Sequence, residues 1–232
     1  MKLEVLNLTK SFGNKEVLKN INFTFESGKI YGLLGRNGAG KTTFFNCLND
    51  DIKPDEGTFN MIEEKNVRPL TIDDIGYVLS TPTVPEFLTG REFLKFFLEI
   101  NEGKIKDIKS IDEYFDFMKI EEEDRDKLLK DYSHGMKNKM QMLINIIANP
   151  NILLLDEPLT SLDVVVAEEM KEMLKSIKKE HILIFSTHIM DLALSLCDEI
   201  VILKNGTLSL VDNKLKREQL KDKIIEMLRE DE

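Results

Sequence analysis

Three things are scarce in this sequence, and each scarcity excludes a class of protein. Cysteine is the first: Cys47 and Cys197 are the only two in 232 residues, far apart and without metal-type spacing. That rules out a disulfide framework and predicts buried, reduced thiols in a cytoplasmic protein. Long hydrophobic runs are the second. No stretch of about 18 apolar residues occurs to span a bilayer, and the Met-Lys-Leu-Glu start lacks the apolar segment of a signal peptide. A cytosolic or peripheral protein is expected. Positive charge is the third: the formal net charge is −10, which argues against nucleic acid as a main partner because phosphate-backbone binding needs a concentrated basic face. A single local anion site is still compatible with that balance.

What is present is enough to fold. With 42% hydrophobic residues the chain can bury a sizeable core as one domain over residues 1–232. Its most informative stretch is Ile30-Tyr-Gly-Leu-Leu34 running into Gly35-Arg-Asn-Gly-Ala-Gly-Lys-Thr-Thr43 and then a helical pattern. Gly35, Gly40, Lys41 and Thr42 fit the G-x-x-x-x-G-K-[ST] phosphate loop, preceded by the buried strand that the pattern requires. Glycines at 35, 38 and 40 let backbone N–H groups turn inward as an anion nest. The following helix adds the positive end of its dipole, Lys41 can reach β/γ-phosphates, and Thr42 can ligate Mg²⁺. A nucleoside triphosphate is the implied ligand, and Asn37, Ala39 and Thr43 belong to the same cradle.

Along the chain, residues 2–8 alternate and Val17 to Phe25 read as strand, with turns at Gly13-Asn14 and Ser27-Gly28, giving a small antiparallel sheet. Phe12 is expected in its first loop, where it reads as a cap on the sheet's core. After the loop helix, a turn at Pro54 to Gly57 leads to a strand around Thr58 to Met61, and Ile75 to Leu79 is a buried strand. Pro82 and Pro85 then forbid regular structure.

From Thr89 to about Pro150 the period becomes helical, with Phe93, Phe96, Phe97 and Ile100 on one face, then Ile111, Tyr114, Phe115 and Met118, then Met140, Leu143, Ile144 and Ile147. These read as the core of a helical insertion. Ile152 to Leu155 is a wholly apolar central strand, ending in Asp156-Glu157, two carboxylates at the edge where ligands sit in open α/β sheets. An amphipathic helix over Asp163 to Lys179 and strands at Ile182 to Phe185 and Ile200 to Leu203 continue a doubly wound, mostly parallel α/β sheet. Lys214 to Glu232, carrying Leu215, Leu220, Ile224, Ile225 and Leu228 among many charges, read as a terminal amphipathic helix that is solvated or, less often for such helices, partner-facing.

With the phosphate loop and the carboxylate strand placed, the chain resembles the ATP-binding subunit of an ABC transporter from end to end. Tyr132-Ser-His-Gly-Met136 resembles the family's signature, usually Leu-Ser-Gly-Gly-Gln. The resemblance implies that Ser133 and Gly135 face the γ-phosphate of ATP held by an opposite subunit. It implies Asp156 as the Mg²⁺ ligand by way of water, Glu157 as the base that orients attacking water, and Ser161-Leu162-Asp163 as the D-loop. His188 would contact the γ-phosphate from a switch loop, and Phe12 takes the place of the adenine-stacking aromatic, normally Tyr, which raises stacking above the core reading.

His134 and His181 carry no role. The family Gln at the end of the strand before the helical insertion aligns with Ser80, with Ile75-Gly76-Tyr77 as the anchor, and no Gln lies nearby, which bears on hydrolytic rate and coupling. His134 and Met136 also depart from the signature but spare its phosphate-facing pair.

The fold implied is a P-loop NTPase core with a small antiparallel β part, residues 1–81 and 151–212. A helical signature subdomain follows at 82–150, and a C-terminal helix at 213–232. The function implied is ATP hydrolysis with Mg²⁺ by a homodimer or heterodimer of such subunits, peripheral on the inner face of the cell membrane. It would drive a separately encoded integral membrane subunit, with export favoured. The rival readings are a soluble ABC-type ATPase, opposed by the acidic balance, and a weakly hydrolysing regulatory subunit, motivated by Ser80.

Overall fold

The computed structural model describes residues 1–105, 108–160, 162–212 and 217–229. Its first strands are β1 (Lys2–Phe12) and β2 (Lys15–Glu26), joined by the Gly13-Asn14 turn, in which Gly13 has φ +59°. A positive φ is what glycine tolerates without a Cβ clash. Strand β1 also pairs with β4 (Glu56–Glu63), which pairs with β5 (Asn66–Pro69), making an antiparallel sheet in the order β2-β1-β4-β5. Strand β5 is not foreseen from sequence: Asn66–Pro69 has no buried residue and no clear alternation.

The second sheet has six strands in the order β10-β9-β3-β8-β7-β6. They are β3 (Ile30–Leu34), β6 (Ile75–Val78), β7 (Ile152–Asp156), β8 (Ile182–Thr187), β9 (Glu199–Lys204) and β10 (Thr207–Leu210), all parallel except the β9–β10 hairpin. Every residue of β3, β7 and β8 is buried, as strands covered on both faces demand. Helix α1 (Lys41–Leu48) lies between the two sheets: Phe44, Phe45, Cys47 and Leu48 share a core with Leu3, Val5 and Phe25 on one side and Tyr31, Leu154 and Ile184 on the other. Burial there pushes the Cys47 thiol up to about 11, the inert buried thiol expected.

On the other face of the parallel sheet sit α2 (Gly90–Ile100), α3 (Ile111–Phe117), α4 (Glu122–Arg125), α5 (His134–Ile147), α6 (Val164–Ile177) and α7 (Met190–Leu196). Helices α2 and α3 start at capping boxes, Thr89 with Glu92 and Ser110 with Glu113, each satisfying two orphan N–H groups. Met140, Leu143, Met170 and Leu174 pack with Leu153, Leu155 and Phe185.

The shared face expected for α2 needs correcting. Phe93 is buried and Phe97 partly so, but Phe96 is 52% and Ile100 61% exposed. The covered stripe is instead Phe93, Leu94, Phe97 and Leu98, because the neighbouring helices meet α2 about a third of a turn round from Phe96.

Smaller differences follow from caps and pairing. Strand β6 stops at Val78, leaving Leu79 38% exposed, and Asp163 is the N-cap of α6 rather than its first turn. The terminal helix α8 (Arg217–Arg229) is solvated on one face, where Glu218, Asp222 and Glu226 are exposed, and docked on the other: Ile224 is fully buried, and Leu220, Met227 and Leu228 pack with it on Leu34, Ala193, Ile200, Ile202 and Val211. That apolar ground is the outer end of the parallel sheet, which α8 covers together with α7, whose Ala193 belongs to the same cluster. Leu215 lies outside the described residues.

Candidate functional site

The phosphate loop joins β3 to α1, and its glycines serve different ends. Gly38 and Gly40 have φ +80° and +105°, which L side chains rarely adopt. Gly35 has no such φ, but a Cβ there would lie 2.8 Å from the Leu203 carbonyl oxygen. Two positions therefore need glycine for conformation and one for close approach. Gly40 is the N-cap of α1, so the helix opens at Lys41 with no side-chain cap, leaving its first N–H groups facing the loop.

The Lys41 ammonium donates to the Gly35 carbonyl at 2.9 Å and lies 3.7 Å from Glu157 Oε1. A cavity of about 420 Å³ opens here, walled by Phe12, Val17, Asn37, Gly38, Gly40, Lys41, Thr42, Thr43 and Glu157. That size falls in the range of small-molecule sites. Ala39 and Gly35 line the adjoining clefts on the loop's outer side. Phe12 departs from the sequence expectation: it is the last residue of β1, not a loop residue, and at 49% exposure it is no core cap.

Beneath the loop the end of β7 meets the end of β8. Thr42 Oγ1 donates to Asp156 Oδ2 at 2.9 Å, and Ser186 Oγ donates to Asp156 Oδ1 at 2.5 Å. The Glu157 N–H donates to Ser186, 3.0 Å to Oγ and 3.2 Å to the carbonyl. Glu157 itself has φ +48°, a conformation that costs a non-glycine residue and persists only where its surroundings enforce it. Here Ser186 enforces it, turning the carboxylate off the strand axis toward the loop.

Glu157 Oε2 then lies 2.8 Å from His188 Nδ1 and 3.4 Å from Thr160 Oγ1. The sequence assigns no role to Ser186 or Thr160: Ser186-Thr187-His188 resembles the family's switch loop as a unit, and only the pairing of β7 with β8 shows what the serine holds.

The residues of the signature stretch lie elsewhere. Ser133 is the exposed N-cap of α5, its Oγ accepting the Met136 N–H at 3.2 Å. Gly135 sits against α6, where a Cβ would lie 3.3 Å from Val166 Cγ1. Neither walls the cavity at the phosphate loop. Asp163 caps α6, accepting from the N–H groups of Val165 and Val166; Ser161 lies outside the described residues. Ser80 is exposed beyond β6 and walls no part of the cavity either. His181 donates or accepts nothing at the site: its Nδ1 bonds the Pro150 carbonyl at 2.6 Å, buried at the far end of β8.

A family model described as ABC transporter matches residues 18–160, spanning the phosphate loop, the signature stretch and the carboxylate strand. The chain belongs to the ABC transporter ATP-binding proteins. This ABC ATPase is 34% identical over 209 residues to the ABC transporter ATP-binding protein YxlF of Bacillus subtilis, covering 89% of this chain and 69% of that one. It is 32% identical to the bacitracin transport ATP-binding protein BcrA of Enterococcus faecalis, covering 89% and 67%. A solved ATP-binding subunit of an ABC transporter superposes with TM-score 0.80 at 24% identity, over 98% of this chain and 99% of that one, which shows the fold. The chain binds and hydrolyses ATP as the family does.

Proposed function

We propose that this ABC ATPase closes around ATP as a two-chain sandwich and drives an integral membrane subunit from the inner face of the cell membrane, in the direction of export. One observation carries the sandwich. The chain builds a complete phosphate cradle and a signature loop, yet Ser133 and Gly135 do not reach the cavity that the cradle opens. A second chain, alike or different, supplies them in trans.

Within each site the residues divide the work. The nest of Gly35, Asn37, Gly38, Ala39 and Gly40, with Thr43 behind, binds phosphate oxygens through backbone N–H groups and the opening of α1. Lys41 neutralises charge on the transferred phosphoryl group. Phe12 stacks on the base. Glu157, held by Ser186 and flanked by His188, orients and accepts a proton from the attacking water; His188 swings between that carboxylate and the γ-phosphate. Thr42 and Asp156 present hard oxygen donors 2.9 Å apart at the mouth of the nest, a donor set that fits Mg²⁺, with Thr42 as direct ligand and Asp156 through water. Bound there, the ion would neutralise charge between the β- and γ-phosphates.

The membrane subunit is placed by the segment after β6. Leu79 is 38% and Phe87 80% exposed on either side of Ser80, apolar surface of the kind that marks interaction sites. Ser80, where the family has Gln, then serves docking more than metal binding. Residues 82–150 act as the signature subdomain that this partner moves. Export rests on the sequence's resemblance to short exporter-type subunits, an analogy, and the net charge of −10 sets nucleic acid aside as a partner.

Glu157→Gln tests the sandwich. It keeps the shape of the site and removes the group that polarises water, so ATP with Mg²⁺ should convert the variant to a stable dimer on size-exclusion chromatography. A monomer at saturating ATP overturns the reading.

A further inference from the structure

We infer that Asp55 is a positioning residue: it fastens the tip of the β1–β2 hairpin to the turn ahead of β4, and so holds the Phe12 ring at the wall of the cavity. The consequence for nucleotide rests on the reading that Phe12 stacks on the base. The fastening itself is visible in the chain alone.

Ladder pairing does not account for where Phe12 stands. Strand β1 pairs with β4 only as far as Thr9, opposite Glu56. Beyond it, Lys10, Ser11 and Phe12 pair with β2 alone, and that register shifts on both sides of Lys10. A two-stranded hairpin is marginally stable in water by itself, and one so paired would leave the half-exposed Phe12 without a fixed place.

Asp55 supplies the missing side. Its N–H donates to the Thr9 carbonyl at 2.9 Å, extending the pairing by one bond. Its carboxylate takes over where the ladder stops: Oδ2 accepts the Ser11 N–H at 2.6 Å, and Oδ1 accepts the Lys10 ammonium at 2.9 Å. Bonds to an ionised acceptor are stronger than the neutral ladder bonds they replace. Three consecutive residues of β1 are thus tied to one residue of the turn.

Lys10 carries that hold to the ring. Residues two apart on a strand share a face, and the Lys10 ammonium lies 5.4 Å from the Phe12 centroid, within cation–π reach. The Lys10 side chain is 15% exposed and walls no part of the cavity, whereas Phe12 does. The ammonium therefore backs the ring on the side away from the cavity and leaves the other face for a base. Asp55 in turn fixes the ammonium.

The chain has no tryptophan, so Phe12→Trp places a single indole at this position. In the nucleotide-free protein, adding Asp55→Ala should lower the fluorescence anisotropy of that indole and increase its quenching by acrylamide. Adding Lys10→Arg, which keeps the cation, should leave both unchanged.

Binding is read by titration calorimetry with Mg²⁺ and two probes that differ in the base, ADP and pyrophosphate. With Phe12 in place, Asp55→Ala should weaken ADP about fivefold, inside the span of base stacking on an aromatic, and leave pyrophosphate unchanged. Lys10→Met should weaken ADP about threefold, and Lys10→Arg should hold it at the parent value. In the Phe12→Ala background, Asp55→Ala should cost nothing further, as for residues that act through one another.

Equal losses for ADP and pyrophosphate, a further ADP loss in the Phe12→Ala background, or an indole equally held with and without Asp55→Ala overturns the inference. Should the alanine chain fail to fold, Asp55→Asn, which keeps one acceptor oxygen, takes its place in every comparison with the same outcomes. If Phe12→Ala leaves ADP affinity at the parent value, the stacking reading falls and the indole alone decides: freed by Asp55→Ala it supports the fastening, and held as before it sinks it.

Discussion

Phe12 ends β1 with half its surface open and forms one wall of the cavity at the phosphate loop. Its only ring contact described is the Lys10 ammonium, 5.4 Å from the centroid, so truncation removes little packing. A buried phenylalanine would lose about 3–5 kcal/mol on truncation to alanine; this one should lose under about 1 kcal/mol, as surface positions do. Stacking on a base is worth about 1–3 kcal/mol, so Phe12→Ala should weaken ATP binding roughly 5- to 150-fold. Melting temperature and ATP affinity measured on the same variant decide it: a large melting loss with unchanged affinity would return Phe12 to the core. Sequence alone could not separate these, because an aromatic after an alternating strand fits a sheet cap as well as a stacking platform. Its 49% exposure depends on where β2 and the phosphate loop end up.

At the scale of elements, legibility followed locality. The phosphate loop, its strand and its helix are contiguous, and β7 announces itself by four apolar residues ending in Asp156-Glu157, so pattern and position coincide. Helices α7 and α8 owe their places to partners far along the chain. Met190–Leu196 is too short to show a helical period, and β10, though it closes a local hairpin on β9, has no buried residue to mark it as strand. Helix α8 reads as a polar amphipathic tail until the uncovered end of the sheet, Leu34 with Ile200 and Ile202, gives Ile224 somewhere to go.

Helix α5 holds a different surprise: Asn138 and Gln141 are buried, and among the described residues the Oδ1 and Oε1 oxygens find no hydrogen-bond partner. A desolvated, unpaired amide oxygen costs about 1–3 kcal/mol. Methionine has nearly the shape of glutamine without that oxygen. Gln141→Met should therefore stabilise the chain by about 1 kcal/mol and raise Tm by about 2–4 °C. Calorimetry checks this, and a lower Tm would mean that the oxygen is satisfied in solution.

Across the whole molecule the two sheets must be held in a fixed pose around α1, and the apolar core does most of that. Several polar links join them as well, Lys29 bridging Glu26 of β2 and Glu199 of β9 among them, and one of these links is a buried clamp. Arg68, on β5 of the antiparallel sheet, makes a fork of two 2.6 Å bonds to both oxygens of Asp74, at the head of β6 in the parallel sheet. Asn151, just ahead of β7, donates to the same carboxylate at 2.6 Å, and Thr71 donates twice more.

The Asp74 side chain is 5% exposed, and Arg68 beside it holds the carboxyl well below the usual carboxylate range, burial opposing. Because the folded pKa is depressed, the folded chain binds fewer protons than the unfolded chain at mildly acidic pH. The clamp's contribution is then complete above the unfolded carboxylate pKa, near 4. It is lost as pH falls below that value toward the folded one.

Asp74→Asn keeps the shape but removes the charge, and hydrogen bonds to charged groups are worth about 1.5–3 kcal/mol. The variant should be less stable than the parent by about that amount at pH 7, and the gap should narrow as pH drops below 4. Urea unfolding midpoints of both proteins between pH 3 and 7 measure it. A gap that stays constant across that range would show that the carboxylate's charge contributes nothing to holding the sheets together, leaving only its shape.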